Sequence, residues 1–328
     1  MNRQTPVPAQ ITRRQALRSG LTIVGGAVIA PALPAWMSRP LAATLHQAAD
    51  PLAQMRAQMG APPIEVVKLT DRLSLLTGPG GNVLVLNGPD GKILVDTFVQ
   101  TAWDKLRQAL DGLGPARVTS AIDTHWHFDH ADNNQNLRKA GATIIAHDNT
   151  KKRLGESHEL LGMKFPPSPA DALPTQTFAQ KHAISANGEQ IALAHVAPAH
   201  TDTDITVRFQ KANVLHMGDL FFNGMYPFVD MSTGGRIDGM IAAAGATLKT
   251  IDAQTKVVPG HGPLADQSAL TTYRDMMVTV RDRVQKLKKE GRKVEEVVAA
   301  APTKDLDPTW GKGFMQPDQF VTIVYNSL

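Results

Sequence analysis

Thr124-His125-Trp126-His127-Phe128-Asp129-His130 decides the reading of this chain, because four side chains able to ligate a metal fall between positions 125 and 130. In extended backbone, residues two apart project to the same side, so His125 and His127 can reach one ion together. A tight turn after them would carry Asp129 and His130 to a neighbouring position. Four buried titratable groups with no cation to pair them would be costly. The stretch therefore reads as half of a site for two metals.

Outward from it, Arg117 to Ile122 reads as the strand that delivers the stretch, with a short helix from about Asn133 to Lys139 and a strand from Ala142 to Ala146 behind it. Upstream, Glu65 to Leu69, Leu73 to Thr77, Val83 to Leu86 and Ile93 to Val95 are β-type runs separated by Asp71, Gly78-Pro79-Gly80-Gly81 and Pro89-Asp90-Gly91. They make an antiparallel meander. Ala102, Leu106, Ala109, Leu110 and Leu113 then recur at helical spacing, with Thr101 as the expected cap. Residues 44–63 read as a linker holding one short helix around Leu52 to Met59.

Downstream, Gly155 to Gln180 carries Pro166, Pro167, Pro169 and Pro174 and is expected to be an irregular surface excursion, either a lid or a rigid loop. Strand character returns at Gln190 to Val196, Ile205 to Phe209, Val214 to Met217 and Ala253 to Val258, with a helix from about Ile237 to Ile251. Three of these runs end at a further candidate ligand: His200, Asp219 and His261. Leu270, Tyr273, Met277, Val280, Val284 and Leu287 mark a long amphipathic helix, and Gln319 to Ser327 a terminal helix or strand.

Composition narrows the function classes. With 42% hydrophobic and 20% charged residues, the 328-residue chain is globular rather than disordered. Its pI of about 9.2 gives a misleading impression of a basic protein. Five of the 34 basic residues, Arg3, Arg13, Arg14, Arg18 and Arg39, precede residue 44, where no acid occurs, and the remaining 29 face 30 Asp and Glu. Nucleic acid is therefore not an expected partner. The absence of Cys removes thiolate ligands, leaving His and carboxylate to hold any metal.

Arg13-Arg14, an apolar run from Leu21 to Ala35 and small residues at Ala42-Ala43 have the order of an export signal over residues 1–43. Thr12-Arg13-Arg14-Gln15-Ala16-Leu17 resembles a twin-arginine signal, with Ala16 where a large apolar residue is usual. Gly25, Gly26, Pro31 and Pro34 interrupt the run, which argues for cleavage near Ala43 rather than stable membrane insertion. The expectation is a periplasmic protein that meets the export machinery during translocation.

Thr124-His125-Trp126-His127-Phe128-Asp129-His130, Pro198-Ala199-His200-Thr201, His216-Met217-Gly218-Asp219 and Pro259-Gly260-His261-Gly262, in that order, resemble the motifs of metallo-β-lactamase-fold hydrolases. The resemblance spans about residues 64–265 and implies an αββα sandwich with the site at one edge of two sheets, leaving residues 266–328 as a C-terminal helical extension. It implies that His125, His127 and His200 hold one metal and Asp129, His130 and His261 the other, with Asp219 bridging. Two Zn²⁺ are the first choice, with iron or manganese compatible with the same donors. Asp129 and Asp219 would be the catalytic carboxylates around a bridging hydroxide.

Family β-lactamases generally lack an acid at the position of Asp219, whereas thioesterases resembling glyoxalase II, lactonases and phosphodiesterases have one. The resemblance therefore implies hydrolysis of an ester, thioester or lactone, with β-lactam hydrolysis as the alternative. An iron-dependent sulfur dioxygenase and a non-catalytic metal-binding protein are readings of other classes. Among secondary candidates, Asp96, Asp204 and Thr201 are expected to support ligands, Tyr226 and Phe228 to contact substrate or fill the core, and His216 to be a buried core histidine. His46, His147, His158, His182 and His195 carry no motif.

Overall fold

Short Leu-, Val- and Ile-rich runs pair into two sheets in a computed structural model that describes residues 50–328. The export signal read over residues 1–43 and His46 lie outside the described residues. In the first sheet, β1 (Glu65–Lys68), β2 (Leu73–Thr77), β3 (Val83–Leu86), β4 (Lys92–Val95), β5 (Val118–Ile122) and β6 (Thr143–His147) are neighbours in that order. Past a separate hairpin of β7 (His158–Leu160) and β8 (Met163–Phe165), β9 (Gln176–Phe178) closes the far edge. The second sheet runs β10 (Lys181–Ala186), β11 (Glu189–His195), β12 (Ile205–Phe209), β13 (Val214–His216), β14 (Lys256–Val258).

Strand periodicity divides the apolar residues between two cores. Leu73, Leu75, Leu84, Leu86, Ile93 and Val95 meet Ile205, Val207, Phe209 and Val258 between the sheets. Val83, Val85 and Leu94 face the other way, onto α1 (Pro51–Gly60) and α2 (Trp103–Gly112). The helical layers also include α3 (Phe128–Ala131), α4 (Asn134–Lys139), α5 (Asp148–Leu154), α6 (Ile237–Leu248) and α7 (Gln267–Lys289). α8 (Val294–Ala299), α9 (Asp307–Trp310) and α10 (Pro317–Ser327) follow. Leu215 and Val257 face the α6, α7 and α10 side, where Met240, Tyr273 and Phe320 are buried. The result is the expected αββα sandwich with C-terminal helices.

Strand direction collects the chemistry at one edge. β4, β5 and β6 are parallel, so the ends of β4 and β5 lie together and present Asp96 and the stretch from Thr124. β13 and β14 are parallel, and β11 is antiparallel to the antiparallel partner of β13, so all three finish on one side. Their ends lead to Asp219, His261 and His200. Ligand sites of open α/β sheets gather at such carboxyl ends.

Several expectations need correction. Residues 155–180 are not irregular throughout: β7 and β8 form a hairpin whose two-residue turn, Leu161 and Gly162, has φ of 54° and 74°. β9 from the same stretch joins the first sheet. Strands of three residues are too short to show a period, and the prolines dominated the pattern. β10 was not anticipated, because its burial alternates only between exposed and half-buried positions. The Asn187-Gly188 turn that joins it to β11 is a strong hairpin signal. α5 was also missed. Thr101 does not cap α2; its hydroxyl donates to the Arg56 carbonyl, and α2 starts at Trp103 behind a 3-10 turn over Gln100–Ala102. Of the stretch 44–63, residues 50–63 are described: the expected short helix is α1, which buries Leu52 in the core and pairs Arg56 with Asp132.

Candidate metal centre

His125 and His127 occupy the loop after β5, and the single helical turn of α3 swings Asp129 and His130 away from them. His200 lies between β11 and β12, Asp219 in the 3-10 turn Gly218–Leu220, and His261 directly beyond β14. His125, His127, His200 and Asp219 present donor atoms within 4.8 Å of one another, and Asp129, His130 and His261 do the same. Asp219 faces both groups. Its Oδ2 lies 3.8 and 3.6 Å from Nε2 of His125 and His200, while Oδ1 lies 3.2 and 3.4 Å from Nε2 of His130 and His261.

The far nitrogens of four rings are pinned, which aims the others inward. Thr124 Oγ1 gives its one proton to Asp96 Oδ2 at 2.9 Å, so it accepts from Nδ1–H of His125 at 3.0 Å and leaves the His125 Nε2 lone pair free. His200 Nδ1–H donates to the Phe228 carbonyl at 2.9 Å. His127 is reversed: its Nε2–H donates to Asp230 at 3.3 Å and Nδ1 turns inward, 2.9 Å from His200 Nε2. His130 Nδ1–H donates to Asp96 Oδ2 at 2.7 Å. Asp96 therefore serves both groups, and it also accepts from the Thr124 backbone N–H at 2.8 Å.

His261 is held differently. Its ring stacks on Phe222 with centroids 5.3 Å apart and planes 13° from parallel. Its loop is clamped by buried Asn82, whose side-chain amide donates to the carbonyls of Pro259 and Gly262 at 3.0 and 2.9 Å. Close approach demands glycine at two places here. A Cβ on Gly260 would stand 1.9 Å from Asp219 Oδ1, and one on Gly81 2.1 Å from the His130 ring.

The electrostatics are those of a cation site. Burial pushes His125 well below the ordinary imidazole range, and it pushes His200 down to about 4, so their lone pairs are not lost to protons near neutrality. Burial also opposes a charged His130 and His261, yet Asp219 and Asp129 outweigh it, holding His130 well above its usual value and raising His261 to about 9. Against the same burial, the imidazoles hold Asp219 well below the carboxylate range and lower Asp129. In this cluster protons occupy positions that a divalent cation would neutralise. His125 Nε2 and Asp219 Oδ1 are buried with no hydrogen-bond partner, which fits donors meant for metal. Imidazole and carboxylate suit divalent transition metals.

The secondary candidates divide. His216 is the core histidine expected: Nε2–H donates to the Asn82 carbonyl at 3.0 Å, tying the second sheet to the first, and Nδ1 accepts from Gly218 N–H at 3.0 Å. Asp204 supports the His200 loop rather than its ring, accepting from the backbone N–H groups of His200 and Thr201 at 2.8 and 2.9 Å. Burial raises its pKa to about 7 despite the bonds from Thr201. Phe228 lies against the His127 and His200 rings at 6.0 and 5.9 Å. Tyr226 is a core residue: it is fully buried and its hydroxyl donates to Asp307 at 2.9 Å. His147 and His195 stack on each other, 3.7 Å apart, outside the centre.

Asp230 and Asn82 were not singled out from sequence. Asp230 stands in Pro227-Phe228-Val229-Asp230 with no spacing motif, and its carboxylate also accepts from Ser232 and Thr233. The only available signal was an acid or amide set in apolar surroundings.

Comparison with known proteins agrees with the geometry. Residues 76–277 match the Metallo-beta-lactamase superfamily. The chain is 28% identical over 166 residues to a probable metallo-hydrolase, YqgX, of Bacillus subtilis (strain 168), covering 47% of this chain and 72% of the relative. A metallo-beta-lactamase from Pontibacter korlensis superimposes with a TM-score of 0.55 at 20% identity, over 65% of this chain and 98% of that one. The sec-alkylsulfatase Pisa1 from Pseudomonas sp. gives a TM-score of 0.61 at 15% identity, over 80% of this chain and 50% of that one. With a family match over most of its length and two groups of His and Asp at the strand ends, this chain belongs to the metallo-β-lactamase superfamily.

Proposed function

We propose that this protein is a two-metal hydrolase of an ester, thioester or lactone, with Zn²⁺ at both positions. The observation that carries it is Asp219, whose two oxygens are divided between two sets of imidazoles. When bound, such ions supply Lewis-acid polarisation and lower the pKa of water toward ~7. His125, His127 and His200 would hold one ion, Asp129, His130 and His261 the other, and Asp219 both. Asp129, with Oδ2 3.2 Å from His261 Nε2, would also orient the attacking water by hydrogen bond. The pinned rings fix these positions before substrate arrives, so little reorganisation accompanies the reaction. Phe228 covers one side of the imidazoles and keeps bulk water from them.

We also propose that the protein acts in the periplasm after cleavage of a twin-arginine-type signal, on the strength of Arg13-Arg14 and the apolar run that follows. Among the described residues no helix is long and apolar enough to cross a membrane.

Metal analysis together with turnover tests the catalytic reading. Protein loaded with zinc is expected to hold two ions per chain and to hydrolyse at least one of a lactone, a thioester and a carboxylic ester faster than a β-lactam chromophore. One iron and no zinc in protein purified without added metal would instead favour the sulfur dioxygenase. Full metal content with no turnover of any of these would leave a metal-binding protein.

A further inference from the structure

A cavity of about 300 Å³ opens over the centre, and its walls say what kind of molecule it takes. Asp129, Asp219, His127 and His261 form one end. The remainder is apolar apart from Gln58: Met55 and Met59 of α1, Leu160 and Leu161 of the β7–β8 hairpin, Phe128, Phe228, and Phe314 from the segment before α10. Neither Lys nor Arg is among the lining residues. Arg56 sits beside Met55 on the same helix, but it does not line this cavity, and its Nε and Nη2 donate to Asp132 at 2.6 and 2.8 Å. A substrate with an anionic group at its far end would bury that charge among apolar side chains with no cationic partner. Leu161 and Phe314 are 51% and 53% exposed, and both belong to this cavity. They leave apolar surface in water that a bound chain would cover.

We propose that the centre acts on an uncharged ester whose non-reacting part is an apolar chain, gripped between α1, the β7–β8 hairpin and Phe314. This rests on the hydrolase reading of the same centre and names its substrate class. The cavity has room for a chain of medium length, and methyl octanoate is a probe of that kind.

The test measures kcat/KM of the zinc-loaded protein on methyl butyrate, hexanoate and octanoate, and on monomethyl suberate, in which a carboxylate replaces the terminal methyl of the octanoate chain. The expected result is a rise of up to about fourfold per methylene as far as octanoate, with monomethyl suberate at least tenfold poorer than methyl octanoate. Phe314→Ala and Leu161→Ser should each flatten the dependence on chain length. Met59→Lys should raise monomethyl suberate relative to methyl octanoate. A flat chain-length profile, or monomethyl suberate turned over as well as methyl octanoate, would overturn the proposal while leaving the hydrolase reading intact. Calorimetric titration with 2-octanone and 2-butanone separates the opposite failure. If no ester is hydrolysed, at least tenfold tighter binding of 2-octanone still supports the apolar cavity, and equal binding of the two ketones refutes it.

Discussion

The two halves of the metal centre are built on different plans. On the side of His125, His127 and His200, the far nitrogen of every ring is held by Thr124, Asp230 or the Phe228 carbonyl, and the rings are 5% exposed or less. On the side of Asp129, His130 and His261, only His130 is anchored that way. His261 is 17% exposed and depends on Phe222 beneath its ring and Asn82 beneath its loop. One half is fixed ring by ring, whereas in the other His261 is held by stacking and through its backbone. The difference teaches that the halves can be weakened separately, with Asp219 and Asp96 as the groups they share.

Removing the shared bridge should have the largest effect. Asp219→Ala is expected to cost about 10³-fold or more in turnover and one metal per chain, by loss of several kcal/mol of stabilisation; normal metal content and rate would contradict the bridge. Next comes Asp96→Ala, which strands the Thr124 N–H and His130 Nδ1–H together. Metal affinity should fall roughly 10–100-fold at both positions, a result read by competition with a chelator, and a loss confined to one position would deny Asp96 its double role.

The selective changes are smaller in scope. Asp230→Asn should weaken only the position of His127, by about 10-fold. Asn82→Ala should weaken only that of His261, while leaving the Pro259 and Gly262 carbonyls short of donors at a cost of about 1–3 kcal/mol in stability. If both substitutions release the same ion first, the separation of the halves is wrong. Smallest is Tyr226→Phe, which loses the hydrogen bond to Asp307 and about 1 kcal/mol of stability. Thermal unfolding should register it, and kcat/KM should not.

All seven side chains that the motifs pointed to converge, because each motif lies in the loop or turn that follows a strand and strand direction does the gathering. That logic was legible at the level of residue type and order. The partners were legible only where they stood beside a ligand motif or at a strand end: Asp96 finishes β4, but Asp230 and Asn82 act across more than 100 residues of sequence. Their spacing in the chain carries no trace of the contact. In the fold, the strongly apolar runs of β2, β3 and β12 emerged with their observed bounds, whereas β7, β8 and β10 were lost. Those three are short or polar, and their evidence lies in the turns Leu161-Gly162 and Asn187-Gly188 rather than in any hydrophobic period.

The clamp of Arg56 on Asp132 ties α1 to the end of α3, and so brings residues from outside the family-matched segment to the mouth of the centre. The seven candidate ligands all fall within residues 76–277, while Met55, Gln58, Met59 and Phe314 fall outside it. Part of the wall proposed to select the substrate thus lies outside the stretch that carries the candidate ligands, while Leu160, Leu161 and Phe228 lie within it. Substitutions at the two ends of the chain could retarget such a protein to a new molecule while the inherited chemistry stayed untouched, and exchange of these end segments between relatives offers a direct route to altered specificity.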